Sequence, residues 1–224
     1  MLPARRCQRL IYFDPGLVNR VLGKYNFNSK LFILDGDWDQ TGTKSIDYTA
    51  GTAKTIHQLF VEEKPHFETV QYKRMKEAIE SGHPEPKKLG AYWCKTIEDI
   101  DEYFTRLIKA YKQIKAEGYK SQGELAAENP GTVDNLKDEI LLYIDRNGEL
   151  ILGRGGTHRF FIAKLLALPS VPGLLMGVHK QWAKNCHKHY GLKSLEASIE
   201  KGIKSITARQ NTKGIDPVQS QEGN

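Results

Sequence analysis

Apolar residues along this chain come in two rhythms. Some form short unbroken runs that stop at turn residues, the pattern of a buried strand, and others recur at spacings of three and four, the pattern of a helix with one buried face. Ser29 to Leu34 is the first such run; it ends abruptly at Asp35-Gly36-Asp37 and reads as a buried strand. Helical spacing follows from about Thr55 to Ser81. It returns from Thr96 to Gly118, where Ile97, Ile100, Phe104, Leu107, Ile108, Tyr111 and Ile114 fall on one stripe. Ser81-Gly82-His83-Pro84-Glu85-Pro86 separates the two helices, because a proline disfavours helix at the residue before it, and Ala127-Glu128-Asn129-Pro130-Gly131 is a second break.

Beyond that break the rhythm changes. Asp138 to Asp145 predicts a strand, Arg146-Asn147-Gly148-Glu149 a hairpin turn, and Leu150-Ile151-Leu152 the returning strand. His158, Phe161, Ile162, Leu165 and Leu166 set up a helix that Leu168-Pro169 closes, and Val171 to Val178 predicts a further strand. From Ser205 onward the chain is polar with no apolar period, which predicts a disordered tail. The whole reads as an α/β (α+β) protein. A strand and helical region covers residues 1–118, a core with a small mixed sheet covers 119–190, and a basic helix and tail cover 191–224.

Composition narrows the class. With 224 residues, 39% hydrophobic and 27% charged, the chain can bury a core and is globular. No stretch approaches the ~18 consecutive apolar residues of a membrane span. The N-terminus, with Arg5, Arg6, Arg9 and then Asp14-Pro15, lacks the apolar segment of a signal peptide, which predicts a cytoplasmic protein with no membrane partner. Cys7, Cys94 and Cys186 are odd in number and far apart, which predicts reduced thiols and no disulfide framework. The net charge of +6 is uneven: eleven Lys/Arg lie between Arg154 and Lys213 against Glu196 and Glu200. Such a stretch is either a solvated surface or a footprint for an anion, phosphate ligand and nucleic acid alike.

The densest candidate chemistry is Gly155-Gly156-Thr157-His158-Arg159, placed between a predicted strand and a predicted helix. The first amides of a helix lack internal partners and carry the positive end of its dipole, so anions bind there. Gly155 and Gly156 permit close approach of the backbone, and Thr157 is a candidate N-cap. His158 and Arg159 would sit in the first turn, where a cation is disfavoured by roughly 0.3–1 kcal/mol unless an anion compensates. Arg159 can grip two phosphate oxygens, and His158 can donate to a third or exchange a proton at a reacting centre. The structural alternative is an Arg159 that pairs with Asp145 or Glu149.

The run from Asp145 to Arg159, followed by Ala163-Lys-Leu-Leu-Ala-Leu-Pro-Ser-Val-Pro172, resembles the ParB N-terminal/sulfiredoxin superfamily over about residues 119–182. The resemblance implies a strand that ends in a Gly-rich His-Arg turn, a helix with small residues and a Val-Pro strand. It also implies that Gly156, His158 and Arg159 contact nucleotide phosphates, with Thr157 adding its amide or hydroxyl. Thr157 stands where a sulfiredoxin needs its nucleophilic cysteine, which argues against sulfinic-acid reduction. Fewer than fifty residues follow Val178, too few for the DNA-binding and dimerisation parts of a partition protein.

Other constellations bear on the chemistry. Asp35, Asp37 and Asp39 alternate just after a strand, an arrangement of hard oxygens suited to Mg²⁺. This makes Asp35 and Asp37 candidate metal ligands and candidate catalytic carboxylates beside His158; the alternative is a solvated turn with Trp38 packed beneath. A calcium loop is excluded, since Gln40 and Ile46 stand where its glycine and final Glu belong. Cys186, His187, His189 and His179 do not have metal-site spacing, and His179 and Trp182 read better as residues closing the Val-Pro strand. Tyr72, Lys73, Arg74, Lys76 and Tyr92-Trp93 supply the basic and aromatic residues of a single-strand-binding surface, and equally those of a half-buried helix. The expectation is a binder of a nucleoside di- or triphosphate, with Mg²⁺ as a candidate companion. It would be a nucleotide-dependent kinase or NTPase acting on a small-molecule acceptor, against the alternatives of a nucleic-acid-binding or nuclease module and a protein whose turn has lost its ligand.

Overall fold

A hairpin at the centre of a mixed sheet organises the larger part of the chain. The computed structural model describes residues 9–23, 31–82, 94–128 and 139–213, the last with side chains to 208. Ser29, Lys30, His83 to Pro86, Tyr92-Trp93, Asn129 to Asp138 and Cys7 lie outside them. Among the described residues the strands are β1 (Arg9–Phe13), β2 (Arg20–Leu22), β3 (Ile33–Leu34), β4 (Thr43–Ser45), β5 (Leu141–Ile144), β6 (Leu150–Leu152) and β7 (Val171–His179). The helices are α1 (Gly51–Phe60), α2 (Val70–Glu80), α3 (Ile97–Glu117), α4 (Gln122–Glu128), α5 (Thr157–Leu165), α6 (Lys180–Tyr190) and α7 (Leu195–Lys213). None of these helices is long and apolar enough to cross a membrane.

The chain divides into two units. The first comprises residues 1–45, 120–156 and 167–224, and the second residues 46–119 and 157–166. The division differs from the boundaries expected from sequence because the N-terminal strands join the sheet built by the later ones.

In the first unit the strand order is β1-β7-β5-β6-β2-β4, with β3 also pairing with β7. β5 and β6 are antiparallel, β7 lies parallel to β5, and β1 is antiparallel to β7. All nine residues of β7 are buried, as expected of a central strand, which explains its unbroken apolar run. Leu22, Leu34, Trp38, Tyr143, Ile151, Leu174 and Met176 form one core cluster, each such burial being worth about 1.5–3 kcal/mol. The hairpin turn is set by Asp145: its carbonyl accepts from Gly148 N, and its Oδ1 accepts from the amides of Asn147 and Glu149 at 2.8 Å each. Only Gly148 of the turn has a positive φ, +90°, so the Asn-Gly pair closes a turn of the common right-handed kind and not the two-residue mirror turn.

The elements of this unit that depart from expectation include α7 and α4. α7 runs to Lys213, where the sequence predicted a disordered tail from Ser205; Ile199 and Ile203, four apart, are buried and seat the helix against α6. α4 was not anticipated, although Ser121 and Glu124 carry a capping-box spacing. Ser121 N donates to Glu124 Oε2 at 2.7 Å and Glu124 N donates to Ser121 Oγ at 3.2 Å.

The second unit is helical. α3 matches the predicted span, with Thr96 and Asp99 forming a reciprocal capping box and Gly118 ending the helix. The single helix expected from Thr55 to Ser81 is two: Pro65 cannot donate to a helix interior, and the chain passes through a 3-10 turn, His66–Glu68, before Thr69 caps α2. α5 buries Phe160, Ile162 and Ala163 while Leu165 is exposed, so its inner face is rotated from the stripe expected. It ends at Leu165. α5 packs on α1 and α3.

Candidate functional site

The glycine turn and the start of α5 fall on either side of the boundary between units, so each is described in its own. In the first unit Gly155 O accepts from Leu141 N at 3.3 Å, which ties the turn to β5. Gly156 has φ +63°, and a Cβ there would lie 2.6 Å from the backbone C and O of Glu139 and from Ile140 Cα. Its glycine character is therefore demanded by neighbouring backbone, a reason different from the ligand approach that the sequence suggested.

In the second unit α5 opens with Thr157, His158 and Arg159, and its first turn holds no acidic residue. His158 is half-buried, and its Nε2 lies 2.6 Å from the Tyr103 hydroxyl. Loss of solvation lowers the His158 pKa from 6.5 to about 4, so the imidazole is neutral at physiological pH. The Arg159 guanidinium carbon sits 4.3 Å over the Tyr119 ring, a cation–π contact. The carboxylates that sequence offered as partners for Arg159, Asp145 and Glu149, both hold Arg20.

Behind His158 lies a run of hydrogen bonds that the sequence did not signal. Thr55 Oγ1 is 2.6 Å from Gln71 Oε1, Gln71 Nε2 is 3.2 Å from the Tyr103 hydroxyl, and Tyr103 meets His158. Thr55 and Gln71 also line a cleft of about 150 Å³ with Gly51, Thr52, Lys54, Val70 and Arg74. α1, α2, α3 and α5 each supply one member of this string, so no local sequence window contains two of them.

The aspartates belong to the first unit and are matched to cations. Asp35 pairs with Lys180, whose hydrogen bond holds its carboxyl below the ordinary range. Asp37 Oδ1 accepts from Arg146 at 2.7 Å. Asp39, only 1% exposed, is disfavoured as an anion by burial. Hydrogen bonds from Arg146 Nε, Nη2 and backbone N, at 2.8, 2.7 and 3.0 Å, outweigh this and keep its pKa low. His179 caps α6, accepting from Gln181 N through Nδ1, and its Nε2 donates to Gly36 O at 2.9 Å. Among the described residues no three His, Cys, Asp or Glu side chains are grouped to hold a metal ion. Asp35 and Asp37 are each paired with a side-chain cation. Trp38 is fully buried in the core cluster, as the turn reading expected.

The remaining candidates have structural neighbours. Tyr72 points inward and its hydroxyl donates to Asp101 at 2.9 Å, so it is not available as a stacking surface beside Lys73, Arg74 and Lys76. Cys186 and Trp182 are buried, and His187 Nδ1 lies 3.2 Å from Ser198 Oγ. Cys94 and Cys186 are free thiols. Comparison with family models, curated proteins and solved structures finds no match for the chain.

Proposed function

We infer that the chain binds the phosphates of a nucleoside di- or triphosphate at the first turn of α5 and transfers phosphate to a small-molecule acceptor. One observation carries the reading: the positive end of α5 bears His158 and Arg159 with no acidic residue in the turn, and a tyrosine contacts each side chain. A guanidinium in a first helical turn opposes the helix dipole, and a bound phosphate reverses that cost. Arg159 supplies the planar fork for two oxygens, and Thr157 and His158 add donors. Transfer of a phosphoryl group through a loose transition state asks chiefly for such fixed donors.

Isothermal calorimetry with ATP, ADP, CTP and GTP, with and without Mg²⁺, tests the reading. Saturable binding is expected for at least one nucleotide, weakened in Arg159→Ala by roughly 10- to 100-fold, the worth of one charge-assisted contact, with the circular dichroism unchanged. No heat with any nucleotide overturns it, and retention of DNA or RNA that falls steeply with salt then assigns the chain to a nucleic-acid module.

A further inference from the structure

The geometry points to Tyr103, backed by Gln71 and Thr55, as the positioning residue that fixes His158 as a hydrogen-bond donor through Nδ1. The inference rests on the phosphate reading above and adds what His158 does there.

Two polarities give the Tyr103 proton to a member of the string. In the first, Thr55 donates its hydroxyl proton to Gln71 Oε1, the Gln71 amide donates to the Tyr103 oxygen, and Tyr103 donates to His158 Nε2. A histidine that accepts at Nε2 and is neutral carries its proton on Nδ1. In the second, the Gln71 amide is turned over, Thr55 donates to Gly51 O, Tyr103 donates to Gln71, and His158 donates from Nε2.

The distances choose between them. O–H···O bonds centre near 2.7–2.8 Å and N–H···O bonds near 2.9–3.0 Å, reaching about 3.2 Å. The Thr55–Gln71 separation is 2.6 Å, that of a hydroxyl donor, whereas Gln71–Tyr103 is 3.2 Å, that of an amide donor. Thr55 to Gly51 O is the longer of the two hydroxyl options at 3.2 Å. Tyr103 and His158 are 2.6 Å apart, again the separation of a hydroxyl donor and shorter than N–H donors ordinarily reach, so the first polarity is the one built and His158 Nδ1–H is left to donate to a phosphoryl oxygen. His158 Nδ1 has no hydrogen-bond partner among the described residues, and the half-buried ring gives it access. The depressed basicity of the ring agrees, since an imidazole that resists protonation is a poor proton acceptor and a serviceable neutral donor. The amide of Gln71 does not readily relay a proton, so the string sets orientation and is not a proton path.

Long-range ¹H–¹⁵N spectra of the ¹⁵N-labelled full chain, with His158 assigned by comparison with His158→Gln, read the tautomer directly and without nucleotide. The expected result at neutral pH is a protonated Nδ1 and an unprotonated Nε2. Tyr103→Phe removes the donor, and the ring is expected to shift toward the Nε2-protonated form. Gln71→Glu can only accept from Tyr103, so it is expected to reverse the tautomer, a change that loss of packing alone would not produce. Nucleotide affinity should fall about 3- to 10-fold in Tyr103→Phe, the worth of one neutral hydrogen bond, with fold retained by circular dichroism. A wild-type His158 protonated on Nε2, or a tautomer indifferent to Gln71→Glu, overturns the positioning role while leaving nucleotide binding standing. The predicted tautomer in a chain that binds no nucleotide overturns the donor role through the phosphate reading instead.

Discussion

Gly156→Ala should destabilise the protein far more than the addition of one methyl group suggests. The backbone at Gly156 has φ +63°, where an L-side chain costs about 1–2 kcal/mol relative to glycine. The new Cβ would sit 2.6 Å from Glu139 C, Glu139 O and Ile140 Cα, about 1 Å inside ordinary carbon contact. These are backbone atoms and cannot rotate aside. Ile140 O accepts from Leu174 N at 2.7 Å and Leu141 N donates to Gly155 O at 3.3 Å, so moving the segment strains its pairing with β7 and with the turn itself. Overpacking of this kind costs about 1–3 kcal/mol, which brings the total to about 2–5 kcal/mol, a large part of the 5–15 kcal/mol of an ordinary domain. For a chain of this size the melting temperature should fall by roughly 4–20 °C.

Gly191→Ala is the control. It has a comparable φ of +58° with nothing within 4 Å of the added carbon, so only the backbone cost of about 1–2 kcal/mol applies. Urea titration of both variants, with midpoint and slope fitted separately, isolates the packing share as their difference. Equal losses in the two would refute the account of Gly156 and return its glycine to a ligand requirement.

Acidification should weaken the fold through His158. The unfolded ring takes up a proton below about pH 6.5 while the folded ring resists until about pH 4, so the unfolded state binds more protons and stability falls as pH drops across that window, by up to about 3 kcal/mol. Urea midpoints from pH 7 to 4.5 should show this slope in wild type and a shallower one in His158→Gln; parallel curves would contradict it. Asp39→Asn should cost about 2–4 kcal/mol, because a carboxylate 1% exposed holds Arg146 through three hydrogen bonds. Asp37→Asn, whose side chain is 67% exposed, should cost less than about 1 kcal/mol, both read from urea titration at neutral pH. A loss at Asp37 equal to that at Asp39 would show that burial does not set their importance.

Elements whose signals lie within one turn or one run were legible in the chain. α3 shows its stripe, its Thr96 cap and its terminal Gly118, and β7 shows its unbroken apolar run. β1 was hidden for the opposite reason: Ile11 and Phe13 are buried, but Leu10 and Tyr12 on the other face are also apolar, so the alternation of a half-exposed strand disappears. The break at Pro65 and the Ser121–Glu124 cap were present in the sequence, and general helical spacing masked them. The candidate site divides in the same way. The turn and its His-Arg pair are contiguous and readable, whereas Tyr103 reaches His158 across 55 positions and Arg146 reaches Asp39 across 107, distances over which residue types carry no pairing information.

The carboxylates near the first strand look like chemistry in sequence because alternating acids after a strand suit both a metal and a base. In the structure the same residues neutralise Lys180 and Arg146, and the hydrogen bond to Lys180 makes Asp35 a weaker proton acceptor than an ordinary carboxylate. A strong base is not what phosphoryl transfer needs most. In a loose transition state the acceptor's proton leaves late, and the barrier is lowered mainly by donors already aimed at the transferred oxygens. That shifts the energetic burden of the proposed activity from Asp35 and Asp37 to Arg159 and the fixed imidazole of His158. Substitution of Asp35 should then change activity less than substitution of Arg159 in any phosphotransfer assay the protein supports. The reverse order would place the chemistry at the carboxylates and reduce the turn to a binding element.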